Sequence, residues 1–228
     1  MKQFWTWQNL QIAWQVEGEE IPSPIAIVLI HGFGASKDHW RLNQKKIGLK
    51  APCYALDLVG FGESSQPNSC LLYERKTSKS FFYCFDSWSQ QVFDFCNEVV
   101  KKPVLLIGNS IGGVIALNTS NKLSQKCLGV VLIDCAQRTM DDKRLAEQSL
   151  LMRFLRPVIK TVVRQRFLSS TLFKNAANPK FIAKILKIAY PSGGNVNREL
   201  IDSSISFISI IENLVSGCAT RMSEPRQI

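Results

Sequence analysis

Apolar and polar positions change period several times along this chain, and each change marks an element. Phe4-Trp5-Thr6-Trp7, a polar pair at Gln8-Asn9 and the loosely alternating run from Leu10 to Val16 predict a β-hairpin. Residues Ile25 to Ile30 are uniformly β-branched or aliphatic, the pattern of a strand covered on both faces. The run ends in His31-Gly32-Phe33-Gly34, and Ser36 beyond it is placed to N-cap a helix through about Ile47. Tyr54-Ala55-Leu56-Asp57-Leu58 reads as a short strand closing on Gly60-Phe61-Gly62, and residues 64–80 are polar and loop-like. From Ser87 the spacing turns helical, with Trp88, Val92, Phe95, Cys96 and Val99 on one face. Pro103 resets the chain for a strand over Val104-Leu105-Leu106-Ile107, followed by a helix from Ile111 to about Leu123. Gly129 then introduces the strand Val130-Val131-Leu132-Ile133, which ends at Asp134.

Such alternation predicts an α/β fold: a mostly parallel sheet with helices on both faces and an N-terminal hairpin. Residues 1–136 form this core. Residues 137–215 switch to helical patterns without strands, broken near Pro157, Pro179 and Pro191-Ser192-Gly193-Gly194, and read as a helical lid. Residues 216–228 form an irregular tail. A chain of 228 residues is long enough for one substantial core and a small subdomain.

Composition narrows the function classes. No stretch approaches the roughly 18–20 uninterrupted apolar residues of a membrane span, and Met1-Lys2-Gln3-Phe4-Trp5 lacks the apolar segment of a secretory signal. The seven cysteines are odd in number, dispersed and free of C-x-x-C pairs, which favours reduced thiols in a cytosol-like compartment, with the plastid stroma or a membrane periphery as variants of that reading. With only His31 and His39 beside them, neither a metal site nor any other cofactor is predicted. The net charge of +10 is unevenly placed: residues 1–136 carry 13 basic against 11 acidic side chains, and residues 137–228 carry 15 against 7.

The chemistry concentrates at Gly108-Asn109-Ser110-Ile111-Gly112. A serine hydroxyl is a poor nucleophile until it is exposed, relieved of its proton and faced by donors for the resulting oxyanion. G-x-S-x-G between a buried strand and a helix supplies the exposure, because flanking glycines permit a strained turn that lifts Ser110 above the carboxyl edge of the sheet. The helix start offers the Ile111 N–H, and the Gly32-Phe33 step offers the Phe33 N–H. Asp134, at the end of the neighbouring strand, has two open roles, triad acid or turn-forming residue. His31 either braces its own loop or reaches Ser110, and His39 has a capping or packing role open beside Trp40.

The segments His31-Gly32-Phe33-Gly34-Ala35-Ser36, His39-Trp40-Arg41, Leu56-Asp57-Leu58 with Gly60-Phe61-Gly62-Glu63-Ser64, and Gly108-Asn109-Ser110-Ile111-Gly112-Gly113 resemble the α/β-hydrolase superfamily. More narrowly they resemble its cyanobacterial and plastid branch of pheophytinase-like esterases. The resemblance spans residues 4–136 closely and the lid loosely. It implies Ser110 as nucleophile, Phe33 and Ile111 as oxyanion donors with Gly32 beside them, and a hydrophobic carboxylic ester as substrate. Asn109 before the serine fits this branch, whereas an Asp at position 110 would have suggested an epoxide hydrolase or dehalogenase. The departure lies after the lid, where family members place an acid in W-G-x-x-D and a base in G-H-x-P. Neither motif is present and no histidine follows Ser110, so the expectation is a truncated serine hydrolase lacking the last strands. The rival readings are a non-catalytic binding or scaffold protein on the same fold, and one part of a split enzyme. Truncation would leave Val130–Ile133 as an open sheet edge, from which self-association is expected.

In the lid, Arg153, Arg156, Lys160 and Arg164 lie on one side of a helical wheel, opposite Leu151, Phe154, Leu155, Val158 and Val162. Two readings stand: a basic face resting on an anionic membrane, or a solvated face over an apolar core contact. No aromatic-interleaved basic motif accompanies the charge, so no nucleic-acid partner is expected.

Overall fold

The computed structural model describes residues 3–69 and 80–135. The lid and tail expectations lie outside them. The chain divides into two compact units, one of Met1–Pro67 with Cys84–Ala136 and one of Asn68–Tyr83 with Gln137–Ile228.

The first unit is built on a six-stranded sheet. Strands β1 (Gln3–Trp7) and β2 (Leu10–Glu17) form the expected hairpin, turning at Gln8 (φ 48°) and Asn9 (φ 64°). Two successive positive φ values match the right-handed twist of the flanking strands, which is why a polar pair with Asn sits there. Strand β3 (Ala26–Ile30) follows, then β4 (Cys53–Leu56). After the second unit's short parallel pair β5 (Asn68–Ser69) and β6 (Ser80–Phe81) come β7 (Val104–Asn109) and β8 (Cys127–Ile133). The sheet order is β1-β2-β4-β3-β7-β8; the β1–β2 and β2–β4 pairs are antiparallel and the rest parallel.

The helices depart from expectation in two places. A single helix from Ser36 to Ile47 was predicted; the chain instead makes a 3-10 turn at Lys37–Trp40 and a short helix α1 (Gln44–Gly48). Ser36 does cap, its side chain accepting the Asp38 N–H at 3.3 Å. The first turn is drawn inward, however: Lys37 is fully buried and both its N–H and its ammonium are bound to Asp57. The second departure is in α2 (Phe85–Phe95), which widens into a π turn over Cys96–Val100. That extra residue rotates Val100 into the core in place of the expected Val99, while Trp88, Val92, Phe95 and Cys96 are buried as their spacing predicts. Helix α3 (Ile111–Leu123) has the predicted bounds.

Candidate active site

From β3 the chain crosses to β4 on one side and later to β7 on the other, so the connections diverge above the carboxyl ends of β3 and β7. In open parallel sheets that crevice is where ligands bind. Register sets what meets there. Ile30 pairs with Gly108, which brings the His31-Gly32-Phe33 loop alongside Asn109 and Ser110. The approach is close: a Cβ on Gly32 would stand 2.9 Å from Asn109 Oδ1 and 3.1 Å from Ser110 Cβ.

Ser110 occupies the turn from β7 into α3 with φ 54° and ψ −119°. An L-residue reaches this conformation only at a cost of about 1–3 kcal/mol, and it persists where its surroundings hold it. Here the Ser110 N–H donates to Ile133 O at 2.9 Å, and Ser110 O accepts the Gly113 N–H at 3.0 Å. The flanking glycines are required by crowding. A Cβ on Gly108 would fall on the Gly112 carbonyl, and one on Gly112 on the carbonyls of Ile30 and His31. Ile111 is the first residue of α3, so its N–H has no acceptor within the helix and points out of the helix N-terminus.

The other sequence-predicted residues are placed as follows. Asp134 ends β8 with φ 42° and is exposed, one residue beyond the Ile133 carbonyl that holds Ser110. His31 is fully buried and both its ring nitrogens are engaged: Nδ1 at 2.8 Å from Gly32 O, Nε2 at 3.1 Å from the Leu58 nitrogen. It braces its own loop and its neighbour, and burial holds its pKa below the usual imidazole value, with Asp57 and the Gly32 carbonyl opposing. His39 packs edge-on against Trp40 at 5.3 Å, its pKa lowered by burial and by Arg41. Among the described residues, no histidine nitrogen hydrogen-bonds the Ser110 hydroxyl. No group of three or more His, Cys, Asp and Glu is placed to hold a metal among them either.

One charged cluster escaped the sequence reading. Asp57, fully buried after β4, accepts the Lys37 N–H at 2.6 Å, the Lys37 ammonium at 3.2 Å and the Glu63 N–H at 2.8 Å. Lys37 Nζ also reaches Glu63 Oε2 at 2.6 Å. Burial alone would push the ammonium pKa down, but Asp57 and Glu63 outweigh it and the net shift is upward. The available signal was a lone acid at the end of an apolar strand, directly before Gly60-Phe61-Gly62-Glu63-Ser64.

The family model for the alpha/beta hydrolase fold matches residues 25–175. The chain belongs to that family. Over 114 residues it is 32% identical to the 1-acylglycerol-3-phosphate O-acyltransferase ABHD5 of Sus scrofa, covering 50% of this chain and 30% of that protein. Over 109 residues it is 28% identical to the (lyso)-N-acylphosphatidylethanolamine lipase of Mus musculus, covering 47% and 29%. The matched segment thus spans less than a third of the length of either relative. Among solved structures, the epoxide hydrolase CorEH superposes with a TM-score of 0.69 at 15% identity, covering 98% of this chain and 72% of that one. That likeness is one of fold, and the position that decides nucleophile chemistry in this alpha/beta hydrolase holds Ser110. No helix among the described residues is long and apolar enough to cross a membrane.

Proposed function

We propose that this alpha/beta hydrolase is of the serine-esterase type and acts on a hydrophobic, lipid-like carboxylic ester through Ser110. The observation that carries the proposal is the strained backbone of Ser110, held between β7 and α3 with Gly32 packed against it. Structural glycine turns do not need a serine at φ 54°. The Ser110 hydroxyl would attack the ester carbonyl and pass its proton to a base. The carbonyl oxygen, now negative, would be bound by the Phe33 and Ile111 N–H groups, and the alcohol would leave as the acyl-serine forms. Water would then release the acid. The two relatives named above carry acyl chemistry on phosphate-bearing lipids in their names, which favours a fatty-acyl ester. The resemblance to pheophytinase-like esterases extends the same preference to long-chain alcohols.

The base is the weak point of the chain by itself. His31 has no nitrogen to offer, since Nδ1 and Nε2 are both engaged. Without a base, triad serines fall to a residual activity about 10³–10⁴-fold above uncatalysed hydrolysis, sustained by the oxyanion donors. That engagement of His31 also favours a second reading, a non-catalytic protein keeping the fold as a binding module. A fluorophosphonate probe separates the two, because it needs only an exposed serine and an oxyanion hole. Slow phosphonylation at Ser110, absent in Ser110→Ala, is expected, with the adduct located by peptide mass spectrometry. No adduct, or one on another residue, would hand the case to the binding module.

A further inference from the structure

His31 ends β3 fully buried, and its ring has partners of opposite kinds. Gly32 O, 2.8 Å from Nδ1, can only accept; the Leu58 N–H, 3.1 Å from Nε2, can only donate. The ring is therefore the neutral tautomer with its proton on Nδ1. Its far side rests on a well-fixed loop: Asp57 O accepts from Ser64 Oγ at 2.8 Å and Gln91 Nε2 at 3.0 Å, and the Val59 N–H donates to Gln91 Oε1 at 3.0 Å. Phe61 packs edge-on against the His31 ring at 5.2 Å and against the Phe33 ring at 5.9 Å. The near side matters for chemistry. Gly32 O belongs to the same peptide unit as the Phe33 N–H, and in a planar trans peptide the two point in opposite directions. Gly32 O is held twice, by His31 Nδ1–H and by the Ala35 N–H at 3.3 Å, so the direction of the Phe33 N–H is settled with it.

We infer that His31 is a positioning residue for the Ser110 site: by gripping Gly32 O from one side, it aims the Phe33 N–H at the oxyanion that would form beside Ser110. The inference rests on the proposed serine chemistry and assigns the chain's one fully buried histidine a part in it without making it a base. Oxyanion stabilisation depends on donors already aimed before reaction, so a swivelled peptide would lose rate even with the fold intact.

Two substitutions divide the ring's functions. His31→Asn keeps an N–H donor at the distance of Nδ1 and loses the acceptor for the Leu58 N–H. His31→Gln reaches the place of Nε2 with an acceptor and loses the donor to Gly32 O. Fluorophosphonate labelling of Ser110 is expected to run about tenfold or more faster in His31→Asn than in His31→Gln, for variants with similar melting temperatures. Equal rates in the two folded variants, or a faster rate in His31→Gln, would overturn the inference. A second measurement does not depend on labelling or on either variant folding. Nitrogen-15 spectra of the unmodified protein should show the Nδ1-protonated ring with a bond to Gly32 O. An Nε2-protonated ring would overturn the role. Should the unmodified chain fail to label at Ser110 at all, the serine-esterase reading falls, and the ring spectrum judges the grip on Gly32 O separately.

Discussion

At the scale of single residues, Asp57 shows how much one buried carboxylate can organise. It takes two backbone N–H groups and one ammonium, tying the turn at Lys37–Trp40 to the loop after β4. Removing it strands a fully buried Lys37, so Asp57→Ala is expected to cost about 3–5 kcal/mol in urea unfolding. Lys37→Met should cost clearly less, because Asp57 keeps its two N–H donors; equal losses would mean the ammonium, not the backbone, needs Asp57. His31 contributes a pH dependence. Its folded pKa lies below 6.5, so as pH falls below 6.5 the unfolded chain takes up a proton that the folded ring refuses. Stability is therefore full above 6.5 and declines as pH drops through the folded value. His39 is shifted the same way, so unfolding midpoints of the unmodified chain and His31→Asn should be compared over that window. A slope unchanged by the substitution would assign the effect to His39.

Among the elements, the β7–α3 turn is the most constrained. Gly112→Ala would drive a Cβ into the carbonyls of Ile30 and His31, and the expected cost is about 1–3 kcal/mol, with Ser110 labelling lost as the turn shifts. Retained labelling and an unchanged melting temperature would show that the turn can spread at no cost. The strands and α3 were legible because each is long enough to repeat its pattern. The helix predicted from Ser36 was not, since its capping serine is genuine and only the distant Asp57 diverts the first turn inward. Likewise the π turn after Phe95 leaves no mark in the spacing until Val100, rather than Val99, is found buried.

For the molecule as a whole, β8 is the outermost strand of the sheet among the described residues, pairing with β7 alone. It presents Leu128, Val131 and Leu132 at 56%, 42% and 44% exposure. A strand with apolar side chains open on both faces and one free ladder edge invites another strand. Concentration-dependent association is the expected result in sedimentation, reduced in Val131→Lys. A single monomeric species at all concentrations would show that this edge is covered in solution.

Periodicity and local motifs were enough for the α/β class, the hairpin and its turn, the strand–serine–helix junction and the glycines around it. These features are set by residues near one another in sequence, and each leaves a pattern that repeats or a spacing that chemistry requires. Tertiary structure alone decided the rest. Only the β3–β7 register puts Gly32 against Ser110. Only the return of the chain after β4 supplies the Leu58 N–H that, with Gly32 O, engages both nitrogens of His31. A side chain's chemistry depends on which partners it meets across the sheet, and no local pattern in the chain encodes those meetings.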